Sequence, residues 1–261
     1  MERAIEELKK ANREGASKKQ DEAIKELEIA QAKLEEILRQ LREEERELML
    51  RDLQSRFKNM LRMQKIVFNG TVSLNTTPHS RWKAQQVARS RELAGDEGKI
   101  VIEADKAQTL LKEEGSSIAF PEAVEELRED MVTVARMLAK EDTGKENQEI
   151  QRDIMDALSE IIDALKKELE KKDKEKKDPP PKPPSDQDPP DPSLVDKLAE
   201  LKMLRSLQMR VNRRTRRLGL KIKGEQATEK DAEVVEQLKQ LAKRQARIQK
   251  AAYDLATNKN Q

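Results

Sequence analysis

The sequence predicts an all-α fold, elongated and built from long charged helices, and three observations predict it. Charged residues make up 40% of the 261-residue chain, and aromatics only 2%. Apolar residues recur at three- and four-residue steps over long stretches, the period of one helix face. Eight of the ten prolines crowd into residues 179–192, so most of the chain lacks the strongest helix breaker. Such a composition cannot fill a wide core, but it can line narrow helix–helix seams, where one apolar stripe per helix suffices. The expected organisation is a helical bundle or coiled coil over residues 1–172, a charged and Pro-rich linker over 173–192, and a two-helix hairpin over 193–261.

Residues 1–14 read as a short amphipathic piece marked by Ile5 and Leu8, with Gly15 as its break. From Asp21 to Phe68 there is neither Gly nor Pro, enough for a helix of about 70 Å at 1.5 Å per residue. Leu27, Leu34, Leu41 and Leu48 recur every seven residues, while the alternate seam position holds Ile24, Gln31, Leu38 and Glu45. Ala30 and Ile37 widen the stripe on one side. After Leu48 the register jumps to Leu53, Met60 and Val67, with Leu50 and Phe57 alongside. The five-residue step turns the apolar face and predicts a change of partner along the helix. Leu27, Leu34, Leu38, Leu41, Leu48, Leu53, Met60 and Val67 are therefore the expected seam for a partner helix, from a second copy or from another helical protein.

Asn69-Gly70 lies between apolar residues. It reads as a hairpin turn or, in preference, as the stop of the long helix, because an isolated two-stranded hairpin is marginal. Thr77-Pro78 then starts a helix to about Leu93, Gly95 and Gly98 bracket a turn, and a further helix covers 99–113. Gly115-Ser116-Ser117 is a loop, and Pro121 opens a helix carrying Val124, Leu127, Met131, Val134 and Leu138. Thr143 with Glu146 reads as a capping box for the next helix, whose stripe runs from Ile150 to Leu169. Residues 178–192 are Pro-rich and extended, a spacer or a PxxP ligand. Ser193 with Asp196 and Thr228 with Asp231 open the last two helices.

The charge pattern narrows the function classes. Basic and acidic residues balance, 53 against 51, for a formal net charge of +2, the pattern of solvated helix faces. With no Cys, disulfides, thiolate metal sites and Cys nucleophiles are excluded. The single His79 stands in no ligand spacing, a catalytic triad could run only through it, and a lone His near a helix start reads as a surface residue. Gly95-Asp96-Glu97-Gly98-Lys99-Ile100 lacks the upstream Gly and the Ser or Thr of a phosphate loop. No apolar run approaches the ~18 residues of a membrane helix. No catalytic residue, metal ligand or cofactor site is expected, and the chain reads as a non-enzyme.

Two charged stripes stand out. Arg210, Arg213, Arg214, Arg217 and Lys221 lie in a stretch, 205–223, that holds no acid. It reads either as a phosphate-contacting stripe for nucleic acid or an anionic surface, or as a salt-bridge ladder. It lacks the aromatics that stack on bases. Glu149, Asp153, Asp156, Glu160 and Asp163 form an acidic face at steps of four and three, either solvated or a mate for the Arg stripe.

The segments Glu-Glu-Ile-Leu-Arg-Gln-Leu-Arg-Glu-Glu-Glu at 35–45, Lys-Glu-Glu-Gly-Ser-Ser-Ile-Ala-Phe-Pro-Glu-Ala at 112–123 and Leu-Val-Asp-Lys-Leu-Ala-Glu-Leu-Lys at 194–202 flank a Pro-rich stretch. Together they resemble uncharacterised bacterial coiled-coil proteins, many of them exported. The resemblance implies no activity and no site residue. It points outside the cytoplasm if a signal precedes the charged start Met1-Glu2-Arg3, and to the cytoplasm otherwise. The expected function is a structural scaffold or adaptor working through helix–helix association, with electrostatic binding of nucleic acid or anionic surfaces as the alternative.

Overall fold

The computed structural model describes residues 2–9, 13–177, 194–222 and 232–257, and every regular element among them is helical. The chain runs through α1 (Glu2–Lys9), α2 (Arg13–Asn75), a 3₁₀ turn (His79–Arg81), α3 (Ala84–Glu114), α4 (Ala119–Ala139), α5 (Lys145–Lys177), α6 (Lys197–Gly219) and α7 (Ala232–Ala256). The all-α class expected from the sequence is what forms. None of these helices is long and apolar enough to cross a membrane. The Pro-rich stretch from 178, Ser193, and the expected helix start at Thr228 and Asp231 lie outside the described residues.

The chain divides into two compact units, Met1–Met49 and Leu50–Gln261. The first holds α1 and the α2 residues up to Met49. Along that part of α2, Leu27, Leu34, Leu38, Leu41 and Leu48 are all exposed.

In the second unit α4 is the central helix, packed against α3, α5, α6 and α7. The sequence accounts for this. One side of α4 buries Phe120, Val124, Leu127, Met131, Val134 and Leu138, and Glu126 and Asp130 are buried as well. A helix buried on more than one side suits the centre of a helical layer. Around it, α2 buries Leu50, Leu53, Phe57, Met60, Gln64, Val67, Thr71 and Leu74, in alternating steps of three and four. Helix α3 buries Ser90, Leu93, Glu97, Ile100, Ala104, Ala107 and Leu111 with the same rhythm. Gln64 donates from Nε2 to Glu97 at 3.0 Å across these two stripes, and Gln151 on α5 reaches Thr71 on α2 at 3.0 Å. These paired polar groups hold one register, because a slip would leave each of them buried and unmatched.

Glycine proves a poorer breaker here than the sequence suggests. The expected breaks at Gly15 and Gly70 and the expected turn at Gly95–Gly98 do not form: α2 runs through the first two and α3 through the others. Nor does Pro78 start a helix. It precedes the 3₁₀ turn, and α3 begins six residues later, where Gln86 accepts the Lys83 N–H at 3.0 Å. A single Gly costs a helix only about 1 kcal/mol, which the buried stripes beside Gly70, Gly95 and Gly98 override. Gly70 has a packing reason. A Cβ there would stand 2.7 Å from a methyl of buried Leu93, so α2 and α3 approach closely at this point. Gly95 and Gly98 have nothing within 4 Å of the added Cβ. Each of Gly95→Ala and Gly98→Ala is therefore expected to raise stability by about 0.5–1 kcal/mol in urea melts, and Gly70→Ala is not. A loss of stability in both α3 variants would show that the room is needed. Gly115 differs: with φ +75° it closes α3 in the left-handed conformation, its N–H bonded to Leu111.

Candidate interaction surfaces

The basic stripe of α6 lies against carboxylates of α4 and α5. Arg210 pairs with Glu160 at 3.2 Å and stands 3.9 Å from Glu126. Arg213 is 3.7 Å from Asp153. Arg214 forks onto Asp130, one contact at 2.6 Å, and reaches Asp153 at 3.3 Å. Arg217 bridges Asp153 at 2.6 Å and Glu149 at 3.1 Å, and Lys221 meets Glu146 at 2.8 Å. The geometry is helical: steps of four and three keep Arg210, Arg214 and Arg217 on one face of α6 and Glu149, Asp153 and Glu160 on one face of α5, and Lys221 follows just past the end of α6. Asp156 and Asp163, placed on the same acidic face by the sequence, stay exposed.

Helix α7 supplies a second set of arginines. Arg244 donates to Asp130 at 2.7 Å and Glu129 at 2.9 Å, and stands 3.5 Å from Glu126. Arg247 reaches Glu129 at 2.8 Å and Glu122 at 3.2 Å. Sequence reasoning missed this set. Its signal was present, since Glu122, Glu126, Glu129 and Asp130 recur at helical steps on α4 and Arg244 and Arg247 are three apart.

Asp130 is the node that joins α4, α6 and α7. It is buried, as is its partner Arg244, and the side chain of its other partner Arg214 is 13% exposed. Burial pushes its carboxyl pKa up, but the two guanidinium groups outweigh that and lower it to about 2. Burial likewise works against the Arg214 cation, and Asp130 more than compensates, so its pKa is raised. At Glu126 burial wins over the neighbouring arginines, and its pKa is raised.

A second contact ties the same elements. Buried Glu200, in the first turn of α6, accepts the N–H groups of Ile118 at 3.1 Å and Ala119 at 2.6 Å and the hydroxyl of Ser117. The N-terminus of α4 has no side-chain cap of its own at Ile118. A carboxylate from α6 therefore supplies the acceptor that its first free N–H groups require.

The expected helix-partner seam separates into two parts. Leu53, Met60 and Val67 are at most 1% exposed, covered within the Leu50–Gln261 unit. Leu27, Leu34, Leu38, Leu41 and Leu48 are 51–68% exposed. Among the described residues no cluster of three or more His, Asp or Glu side chains is arranged to hold a metal ion. His79 sits 3.2 Å from Glu141 and tilts over Trp82.

Compared with protein-family models, curated proteins and solved structures, the chain matches none.

Proposed function

We propose that the chain is a non-enzymatic scaffold or adaptor that associates helix to helix through the Leu27–Leu48 stripe of α2. The observation that carries this reading is the exposure of five leucines, 51–68% each, at coiled-coil spacing on one helix. Scattered exposed leucines are ordinary on a protein surface, but a stripe held over more than three heptads is a helix-pairing surface. Each leucine fully covered by a partner contributes roughly 1.5–3 kcal/mol before the costs of association are subtracted.

The basic stripe of α6 supports the same reading indirectly. Its guanidinium groups are engaged with carboxylates of α4 and α5, and a phosphate would have to displace those partners.

Sedimentation equilibrium tests the proposal. The wild-type chain is expected to be an oligomer at both low and high salt, since burial of apolar surface resists screening while phosphate binding weakens steeply with salt. Leu34→Glu with Leu41→Glu places charge in the seam and is expected to leave a monomer. A wild type that stays monomeric, or a double variant with unchanged mass, overturns the reading. A labelled DNA duplex and a single strand run in parallel are expected to sediment freely.

A further inference from the structure

Resting on that reading, we propose that the stripe is covered by α2 of a second copy of this chain, running antiparallel and crossing at Glu36. The seam residues are Ile24, Leu27, Gln31, Leu34, Leu38, Leu41, Glu45 and Leu48, at alternating steps of three and four, and all eight are exposed. Two of them are polar, and they decide the orientation.

In a parallel, in-register pair each of these residues meets its own copy. Gln31 would face Gln31, and Glu45 would face Glu45, two like charges brought into a seam that excludes water. The flanking positions would offer no compensation. They would set Ala23 beside Glu28, Ala30 beside Glu35 and Ile37 beside Arg42, with no opposite charges joined.

The antiparallel register about Glu36 changes each of these contacts. Ile24 lies across from Leu48 of the second copy, Leu27 from Glu45, Gln31 from Leu41, and Leu34 from Leu38. The two Glu45 carboxylates then sit near opposite ends of the seam, and the four central layers hold only Leu and Gln. On one flank Glu28 faces Arg42, and the two-fold axis makes this pair twice. A guanidinium has five donors, so Arg42 can serve a carboxylate of its own helix and one of the second copy together. On the other flank Ile37 meets Ile37 on the axis, which gives this residue of the widened stripe an apolar contact. The single like-charge contact is Glu35 with Glu35, outside the seam. The paired segment from Ile24 to Leu48 is about 36 Å long at 1.5 Å per residue, the three to four heptads that a stable pair needs.

The chain has no native Cys, so single nitroxide labels on the full-length protein report this geometry. Glu26→Cys, Lys33→Cys and Gln40→Cys lie seven apart on one exposed line of α2. Their lateral separation across a pair is then the same. An antiparallel pair crossing at Glu36 offsets the two labels along the axis by about 30 Å at position 26, about 9 Å at 33 and about 12 Å at 40. The expected result is short, similar dipolar distances at 33 and 40 and a much longer one at 26. Equal distances at all three positions would mean a parallel pair and overturn the antiparallel assignment, leaving helix–helix association standing. No dipolar coupling at any position, at a concentration where the mass is that of one chain, would overturn both. Leu34→Glu with Leu41→Glu added to each labelled chain is expected to erase the coupling. Coupling that persists there would place the contact elsewhere.

Discussion

Alanine at Asp130 is expected to lower the stability of the Leu50–Gln261 unit by about 3–5 kcal/mol, read as a shift of the urea midpoint. The size follows from what is left behind. Arg244 is buried and the Arg214 side chain largely covered around this carboxylate, and neither guanidinium can shed its charge in a protein. Removing the carboxylate takes away the partner these two cations share and leaves Arg214 with Asp153 and Arg244 with Glu126 and Glu129, whereas a carboxylate lost from the surface costs little. Arg213→Ala provides the comparison. Its side chain is 51% exposed and stands 3.7 Å from Asp153, so it is expected to change stability by no more than about 1 kcal/mol. Asp130→Asn, which keeps the shape and loses the charge, is expected between the two. Equal midpoints for Asp130→Ala and Arg213→Ala would show that the node does not hold α4, α6 and α7 together. The same group sets an acid limit. Its folded pKa, about 2, lies below the ordinary 3.8. Its contribution is therefore complete above pH 4 and lost as the pH falls toward 2.

Glu97 is expected to make stability fall with rising pH, the opposite sign. It is fully buried on α3, where burial raises its pKa from 4.5 to about 8 and the hydrogen bond from Gln64 offsets only part of the rise. The folded state therefore holds a proton that the unfolded chain has given up between those values. The contribution of Glu97 is greatest below pH 4.5 and declines by on the order of 1 kcal/mol per pH unit toward pH 8. Two atoms identify the proton's place. Glu97 Oε1 and Gln64 Oε1 are both buried without a partner, while Gln64 Nε2 already donates to Glu97 Oε2. A protonated carboxyl and a primary amide can close a ring of two hydrogen bonds, which matches both oxygens. Glu97→Gln preserves that ring with an amide in place of the acid. The variant is expected to flatten the pH profile and to exceed the wild type by several kcal/mol at pH 9, measured by urea unfolding across pH 5–9. Parallel profiles for the two proteins would assign the slope to other groups.

How much of this was legible in the sequence depended on whether the cause was local. The helical class, the stripe from Leu27 to Leu48 and the shift of register before Leu53 follow from spacing along one helix, and spacing survives without coordinates. The two charged stripes of α5 and α6 were equally readable, but the sequence left open whether they meet. The glycines misled for a physical reason. Gly70, Gly95 and Gly98 each disfavour a helix locally, and the burial that overrides this penalty is tertiary. Asn69-Gly70 read as the stop of the long helix in preference to a hairpin turn, when Gly70 is the place where Leu93 presses on α2. The Asp130 node was invisible because its members are 84 and 114 residues apart in the chain, and no periodicity links positions on different helices. Glu97 was hidden by its surroundings, since Asp-Glu-Gly-Lys reads as a polar turn until the helix through it is known.

The cap that Glu200 places on α4 has a consequence in time. Ser117 and Glu200 are 83 residues apart, and the pairing of Glu129 with Arg247 spans 118. A ribosome adding roughly 5–20 residues per second needs about 4–17 s to close the first gap and about 6–24 s to close the second. Over that interval α4 has been made but lacks the Glu200 acceptor for the amides of Ile118 and Ala119 and the arginines of α6 and α7 for its carboxylates. The central helix of the unit is therefore among the last to reach its final surroundings during synthesis, although it is made before the helices that complete it.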